Sequence, residues 1–194
     1  MTSLTAFIFF AVAATVSPGP NNLLLMYSGL NYGIKKTWPL FIGAYLGCLT
    51  IYAAVSFGLG YFFLHYPRLQ VVIKVLGSIY MLYLALKIAQ LNESKTKVQR
   101  PLSLFQGFSL QMINPKLWIA AITMNSMFEM VDNLVLNALY LIVILSMITI
   151  PRMLIWMGLG RVLVKLLKNP RQRKVFNITL GLFLAVAVLF LWID

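Results

Sequence analysis

Two short polar motifs interrupt apolar stretches of the chain, and their residue types suit the binding of a small charged molecule. Residues 17–22 read SPGPNN, and residues 114–116 read NPK. Proline lacks an N–H and its ring pushes against the carbonyl four residues earlier, so each motif should free carbonyl oxygens as hydrogen-bond acceptors. The helix that resumes after each motif begins with unpaired N–H groups and a partial positive charge. Such neighbouring donors and acceptors fit a molecule that carries both a carboxylate and an ammonium group.

The candidate binding residues are the members of these two motifs. The asparagines can cap the resumed helices or bond a ligand directly, and we expect freed carbonyls on Ala14, Val16 and Gln111. Lys116 places a cation among apolar segments that contain no Asp or Glu, where an unpaired charge costs roughly 3 kcal/mol or more. We favour compensation by a substrate carboxylate over water, backbone carbonyls, deprotonation or snorkelling. The candidate binding residues are Pro18, Gly19, Pro20, Asn21, Asn22, Asn114, Pro115 and Lys116.

The composition shows what surrounds the motifs. Of the 194 residues, 61% are hydrophobic and only 10% are charged, whereas soluble proteins carry about 25% charged residues. Runs of roughly 20 apolar residues cross a bilayer, and they must be helical because lipid offers no hydrogen-bond partners. We place six such segments, at residues 4–30, 38–64, 70–91, 104–128, 134–160 and 175–193. The sequence therefore predicts an all-α membrane protein with six transmembrane helices in a single membrane domain, residues 1–194.

The distribution of charge predicts how the helices are oriented. Twelve of the 16 Lys and Arg residues fall in connections that would share one side of the membrane, and three of the four acidic residues fall on the other. By the positive-inside rule the basic side is cytoplasmic, so both termini should be periplasmic. The net charge of +12 then indicates contact with anionic lipid headgroups and argues against nucleic acid as a partner.

The chain divides into two halves, residues 1–91 and 104–194, joined by a basic cytoplasmic connection at residues 92–103. Three helices in each half predict opposite orientations, that is, an inverted repeat. Asn114 and Pro115 follow Ser17 and Pro18 by half the chain length, so the first and fourth helices should be broken at matching places. From the helical rise, Pro18 lies roughly 21 Å and Pro115 roughly 16 Å into the membrane. Breaks near the midplane in two halves are a pointer to a transporter's binding site.

Three residues outside the motifs are candidates for the transport pathway. Arg152 lies roughly 27 Å along the fifth segment, a depth that favours snorkelling of its side chain to cytoplasmic headgroups. Pro151 beside it should kink the helix. Gly43 and Gly47 are spaced four apart, which is more typical of close packing between helices than of a pathway.

The stretches SPGPNNLLLMYSGLNYGIKK, FIGAYLG, LGSIYMLYLALKI and FSLQMINPKLWIA, from the first four helices, resemble the lysine exporter (LysE) superfamily, in particular its RhtB-type amino-acid exporters. The resemblance implies a multi-pass exporter of amino acids or close derivatives in the bacterial inner membrane, driven by the proton gradient. The family motifs fall on the same prolines, glycine, asparagine and lysine that the physical argument selects. Pro151 and Arg152 match no family pattern.

We therefore expect a secondary transporter that exports neutral amino acids by alternating access. Neutral substrates are favoured because no acidic side chain at depth could pair the second cation of lysine or arginine. Protons are the expected coupling ion, with Lys116 or Glu129 as the carrier, and the pattern is compatible with a homo-oligomer. The alternatives are a membrane-embedded enzyme and a scaffold that binds lipid or another membrane protein. An enzyme is disfavoured because Cys48 has no histidine at its depth, and we expect neither a cofactor nor a metal.

Overall fold

The computed structural model describes residues 4–16, 19–90, 100–127, 133–167 and 169–192, and within these ranges the regular structure is entirely helical. In chain order the elements are α1 (Leu4–Val16), α2 (Pro20–Tyr32), α3 (Ile34–Ala54), a π-helical turn (Val55–Leu59), α4 (Gly60–His65), α5 (Pro67–Ala89), α6 (Leu104–Met112), α7 (Pro115–Met127), α8 (Leu134–Leu166) and α9 (Pro170–Phe190).

Four helices are long and apolar enough to cross a membrane: Ile34–His65, which includes α3, the π turn and α4, then Pro67–Ala89, Leu134–Leu166 and Pro170–Phe190. A fifth span results if Leu4–Thr15 and Pro20–Tyr32, bent by 59° relative to each other, are counted together. Helices α6 and α7 have 9 and 13 residues, so each alone is too short to span. The prediction of apolar membrane helices is confirmed, while the count of six, the inverted repeat and the periplasmic termini stay predictions.

Both proline motifs interrupt helices where the sequence places the breaks. Helix α1 ends at Val16 and α2 begins at Pro20, while α6 ends at Met112 and α7 begins at Pro115. The second break is level with the middle of α5, because a side chain on Gly77 would overlap the backbone of the break at Ile113. The depth of the breaks in the membrane stays a prediction.

One end of the helix bundle gathers most of the positive charge. The C-terminal part of α2 is joined to the start of α3 by a 2.8 Å hydrogen bond between the hydroxyls of Ser28 and Thr37, and to α9 by the reciprocal amide pair of Asn31 and Asn177, at 3.3 and 3.4 Å. We call the end of the bundle at which these contacts lie the basic end. It carries Lys35, Lys36, Lys87, Arg100, Arg161, Lys165, Arg171, Arg173 and Lys174.

Glycines allow helices to approach closely in the half of the bundle nearer the basic end. A Cβ placed on Gly29 of α2 would overlap the carbonyl of Met157 of α8, and one placed on Gly160 would overlap the carbonyl of Met26. The two glycines thus let the backbones of α2 and α8 touch. This half of the bundle is packed without space for a passage between these helices.

Gly43 and Gly47 have packing contacts of the same kind. A Cβ on Gly43 would overlap the backbone of Leu104 at the start of α6, and one on Gly47 would overlap the side chain of Gln111. Neither glycine is among the residues that line the cavity described below. Their role in a transport pathway stays a prediction, whereas close contact between α3 and α6 is what the structure shows.

Two apolar clusters hold the helices together. One lies toward the basic end and contains Leu24, Leu40 and Leu84, all at most 1% exposed. The other lies toward the opposite end and contains Phe7 and Ile51, which are fully buried. Residues of both clusters line the cavities between them, so the binding region lies where the two apolar clusters meet.

Candidate functional site

A polar cavity of about 50 Å³ lies where the two helix breaks meet. This volume can hold a few water molecules or the polar part of a small ligand. From the breaks, its lining includes Gly19, Pro20, Asn21, Asn22, Asn114 and Lys116. The other lining residues are Ala14, Thr15, Cys48, Tyr52, Gln111, Leu117, Ala120 and Arg152. Two motifs half a chain apart therefore converge on a single site.

Arg152 is buried in this cavity with 9% of its surface exposed. Its guanidinium donates a hydrogen bond from Nη1 to Oδ1 of Asn22. The expectation that Arg152 snorkels to lipid headgroups is therefore wrong. The reason is the length of α8, whose 33 residues extend over about 50 Å and continue through Pro151 to Leu166, so that Arg152 lies near the middle of the helix.

Asn22 connects three helices around the cavity. Its side-chain Nδ2 donates to the carbonyl of Thr15 at 3.1 Å, across the break between α1 and α2. Its Oδ1 accepts the bond from Arg152 of α8. Because both ends of the amide have partners, its orientation is fixed, and it holds the guanidinium in place beside the break.

Three buried polar atoms of the cavity lining have no hydrogen-bond partner in the described part of the chain. They are Oδ1 of Asn21, Nε2 of Gln111 and Nε of Arg152. A buried polar atom without a partner costs roughly 1–3 kcal/mol, so sites that keep such atoms usually pair them with water or ligand. One acceptor and two donors thus remain available in the same cavity.

The charge of the cavity is positive. Lys116 and Arg152 both belong to its lining, and Lys116 is exposed at the mouth while Arg152 is buried. All four acidic residues of the chain lie outside the described ranges, so the described lining has no carboxylate. Arginine and lysine donors are well suited to bind a carboxylate through charge-assisted hydrogen bonds.

The Gln111 carbonyl, which the second proline motif was expected to free, is already paired within the break, and so is the neighbouring Met112 carbonyl. The carbonyl of Gln111 accepts from the N–H of Asn114 at 3.1 Å. The carbonyl of Met112 accepts from the indole N–H of Trp118 at 2.9 Å. The prediction of a free Gln111 carbonyl is therefore wrong, because the turn and the indole of the next helix satisfy the break locally.

Several N–H groups at the starts of the resumed helices are also already paired. The N–H of Leu23 donates to the carbonyl of Gly19 at 3.0 Å, and the N–H groups of Leu117 and Trp118 donate to the carbonyl of Asn114 at 3.1 and 3.3 Å. The expectation that these three groups face a ligand is therefore wrong. Side chains, and not these backbone groups, supply the donors and the acceptor of the cavity.

The structure brings together most of the predicted binding residues. Gly19, Pro20, both asparagines of the first motif, Asn114 and Lys116 line the cavity. Pro115 lies at the start of α7 beside Gly77 of α5, and Pro18 lies outside the described residues. Sequence reasoning missed Gln111 as a donor, although an amide in an apolar helix one turn before Asn114 is a usable signal.

A larger, mostly apolar chamber of about 510 Å³ adjoins the polar cavity. Six residues belong to both: Ala14, Gly19, Pro20, Asn114, Lys116 and Ala120. The rest of the chamber is lined by Phe10, Met81, Ile119, Thr123, Ala187, Phe190 and Leu191. The site thus has a polar end and an apolar end, with Lys116 at the junction; we refer to these as the polar cavity and the apolar chamber.

These features define a class of protein: a helical membrane protein with a cationic cavity between two broken helices. Its sequence matches the LysE type translocator family over residues 12–194, and the chain belongs to that family. The resemblance seen in the sequence motifs is confirmed, and the family is one of transporters rather than enzymes.

Curated relatives match over nearly the whole chain. The protein is 28% identical over 188 residues to the cysteine/O-acetylserine efflux protein of Escherichia coli (strain K12), with 94% of each chain covered. It has the same identity and coverage with the cysteine/O-acetylserine efflux protein of Shigella sonnei (strain Ss046). No solved structure matches the chain significantly.

Proposed function

We propose that this protein exports neutral amino acids or close derivatives across the bacterial inner membrane by alternating access. The observation that carries the proposal is the pairing of two cations, Arg152 and Lys116, with an unsatisfied acceptor, Asn21 Oδ1, in one cavity whose described lining has no carboxylate. A zwitterion supplies both a carboxylate for the cations and an ammonium for the acceptor. The efflux function in the names of the relatives supports the same substrate class.

In this proposal the substrate carboxylate binds at the buried side of the polar cavity. Nε of Arg152 and Nε2 of Gln111 are the buried donors without partners there, and Lys116 adds a cation at the mouth. The bond from Arg152 to Asn22 fixes the guanidinium, so little side-chain freedom is lost on binding. The ammonium group then binds Oδ1 of Asn21, the buried acceptor of the same cavity.

The charge of the site favours neutral side chains. A second cation on the substrate would lie near Lys116 and Arg152 without a carboxylate in the described lining to compensate it. Leaving a charge unpaired in a poorly hydrated site is costly. We therefore expect lysine and arginine to bind more weakly than neutral amino acids.

The packing of the bundle supports one state of an alternating-access cycle. Toward the basic end the backbones of α2 and α8 touch at their glycines, while the polar cavity adjoins the apolar chamber. The buried polar pairs of Ser28 with Thr37 and of Asn31 with Asn177 mark a route that could be hydrated when this half opens. With the basic end cytoplasmic, the described state faces away from the cytoplasm.

Proton coupling needs a group in the transport pathway that can carry a proton. Lys116 at the mouth of the cavity is the candidate carrier that the structure describes, and Glu129 lies outside the described residues. Export driven by an imposed pH gradient in vesicles that hold labelled substrate tests this element independently of binding.

The test of the proposed function is exchange of labelled amino acids by the purified protein in proteoliposomes. We expect counterflow of neutral amino acids by the native chain, a strong loss in Lys116→Met, and normal rates in Lys165→Met, a matched change on an exposed lysine of the basic end. Absence of exchange for every amino acid by the native protein, or normal exchange in Lys116→Met, would contradict the assignment.

A further inference from the structure

We propose that the apolar chamber is the side-chain subsite of the transporter, so that its preferred substrates are neutral amino acids with unbranched or branched apolar side chains of several carbons. This inference rests on the proposed function, because it takes the polar cavity as the site of the substrate's carboxylate and ammonium groups. It adds a preferred kind of side chain to the neutral amino acids of that proposal.

The shared lining of the two spaces favours the apolar chamber as the place of the substrate's side chain. The polar cavity, at about 50 Å³, accommodates the charged groups of an amino acid but little more. Six residues line both spaces, among them Asn114 and Lys116 at the junction. A second apolar space, of about 340 Å³, shares only Arg152 with the polar cavity. A ligand held by Arg152 and Asn21 therefore has its wider adjoining volume, about 510 Å³, on the side of the apolar chamber.

The chemistry of the chamber matches an apolar side chain. Beyond the junction its described lining is apolar, with the single exception of the Thr123 hydroxyl. The apolar residues come from α1, α5, α7, α9 and the turn that follows α9, and are Phe10, Met81, Ile119, Ala187, Phe190 and Leu191. Methionine adapts its shape easily, so Met81 suits a subsite for side chains of several shapes.

The same lining disfavours other side chains. A cationic side chain would pass Lys116 and enter a space without a carboxylate in its described lining, and an anionic one would lose its water against apolar walls. The thiol of cysteine would fill only a small part of about 510 Å³. We therefore expect this protein to prefer larger side chains than the cysteine in the names of its relatives.

A lipid acyl chain is the competing occupant of an apolar space inside a membrane. The substrate side chain is favoured because the chamber ends at Asn114 and Lys116 and opens there into the polar cavity. An acyl chain has no polar group to bind at that junction. An amino acid can place its charged groups in the polar cavity and its side chain in the apolar chamber.

The experiment is a binding series with the purified full chain in detergent, using alanine, 2-aminobutyrate, norvaline and norleucine. Burial of one methylene raises affinity about fourfold, so norleucine should bind up to about sixtyfold more tightly than alanine. Kd is measured by isothermal titration calorimetry or by ligand-induced shifts of the melting temperature.

A substitution that fills the apolar chamber tests whether the gain in affinity with side-chain length arises there. Ala187→Phe should block the chamber and abolish the gain with chain length while alanine still binds, whereas Val186→Phe, at an exposed neighbour outside the chamber lining, should keep the full series. Equal affinities along the native series would overturn the subsite and leave the proposed function intact. A gain that persists in Ala187→Phe would also overturn it, and failure of every member to bind, alanine included, would overturn the proposed function itself.

Discussion

Replacement of Arg152 by methionine separates a binding role from a structural one, because the two roles predict opposite changes in stability. Methionine keeps much of the length of the side chain and removes the charge. In the protein without ligand, Arg152 is buried, its Nε has no hydrogen-bond partner among the described residues, and the described cavity lining offers no carboxylate. Burial of such a cation costs several kcal/mol even after relaxation, which a methionine would not incur.

Two opposing contributions determine how Arg152→Met changes the stability of the protein. Arg152→Met leaves Oδ1 of Asn22 without its donor, a loss of roughly 1–3 kcal/mol, and relieves the larger desolvation cost of the guanidinium. We expect the melting temperature of the ligand-free protein to stay unchanged or to rise. Binding should weaken by roughly 2–5 kcal/mol, that is, at least about thirtyfold in Kd, because a buried charged partner of the substrate carboxylate is gone.

The assay is a thermal melt of the detergent-solubilised protein with and without a neutral amino acid. The control is Arg161→Met, the same change on an exposed arginine nine positions later in α8, which should keep both the melting temperature and the ligand shift. A clear fall in the melting temperature of Arg152→Met, together with an intact ligand shift, would refute the reasoning and make Arg152 a structural residue.

Three further outcomes are expected. Gly160→Ala should lower stability by about 2 kcal/mol through overpacking against the backbone of α2, whereas Gly158→Ala, with open space around it, should leave the melting temperature unchanged or raise it. Trp118→Phe should cost about 1 kcal/mol in a thermal melt, because the indole bond to the Met112 carbonyl is lost; an unchanged melt would mean that this bond does not hold the break. Cys48 is the single cysteine and lines the polar cavity, so substrate should slow its modification by a small thiol reagent, and unprotected labelling would contradict the placement of the ligand.

The sequence predicts those parts of the structure that depend on neighbouring residues. Apolar runs of sufficient length mark the helices, and the proline motifs mark the breaks, because a missing N–H acts on the helix that contains it. The close contacts of Gly43 and Gly47 also follow from their spacing. These features need no knowledge of which helices become neighbours.

The parts that the sequence does not predict depend on contacts between distant residues. Arg152 and Asn22 are separated by 130 positions, and no local pattern indicates that they meet. The helical rise counted from Leu134 predicts that Arg152 lies near the headgroups. Because α8 is longer than the hydrocarbon core is thick, its first residue does not mark the membrane surface, and the prediction fails. The indole of Trp118 likewise reaches a carbonyl that sequence alone leaves without a partner.

The positive charge of the polar cavity also bears on what happens when no cargo is present. Closure of the cavity around Arg152 and Lys116 without a bound carboxylate would remove water from both cations, and the repulsion between them grows as the local dielectric constant falls. A bound carboxylate removes most of this penalty. If transport alternates between two openings, as proposed, this difference favours occlusion of the loaded site over occlusion of the empty one.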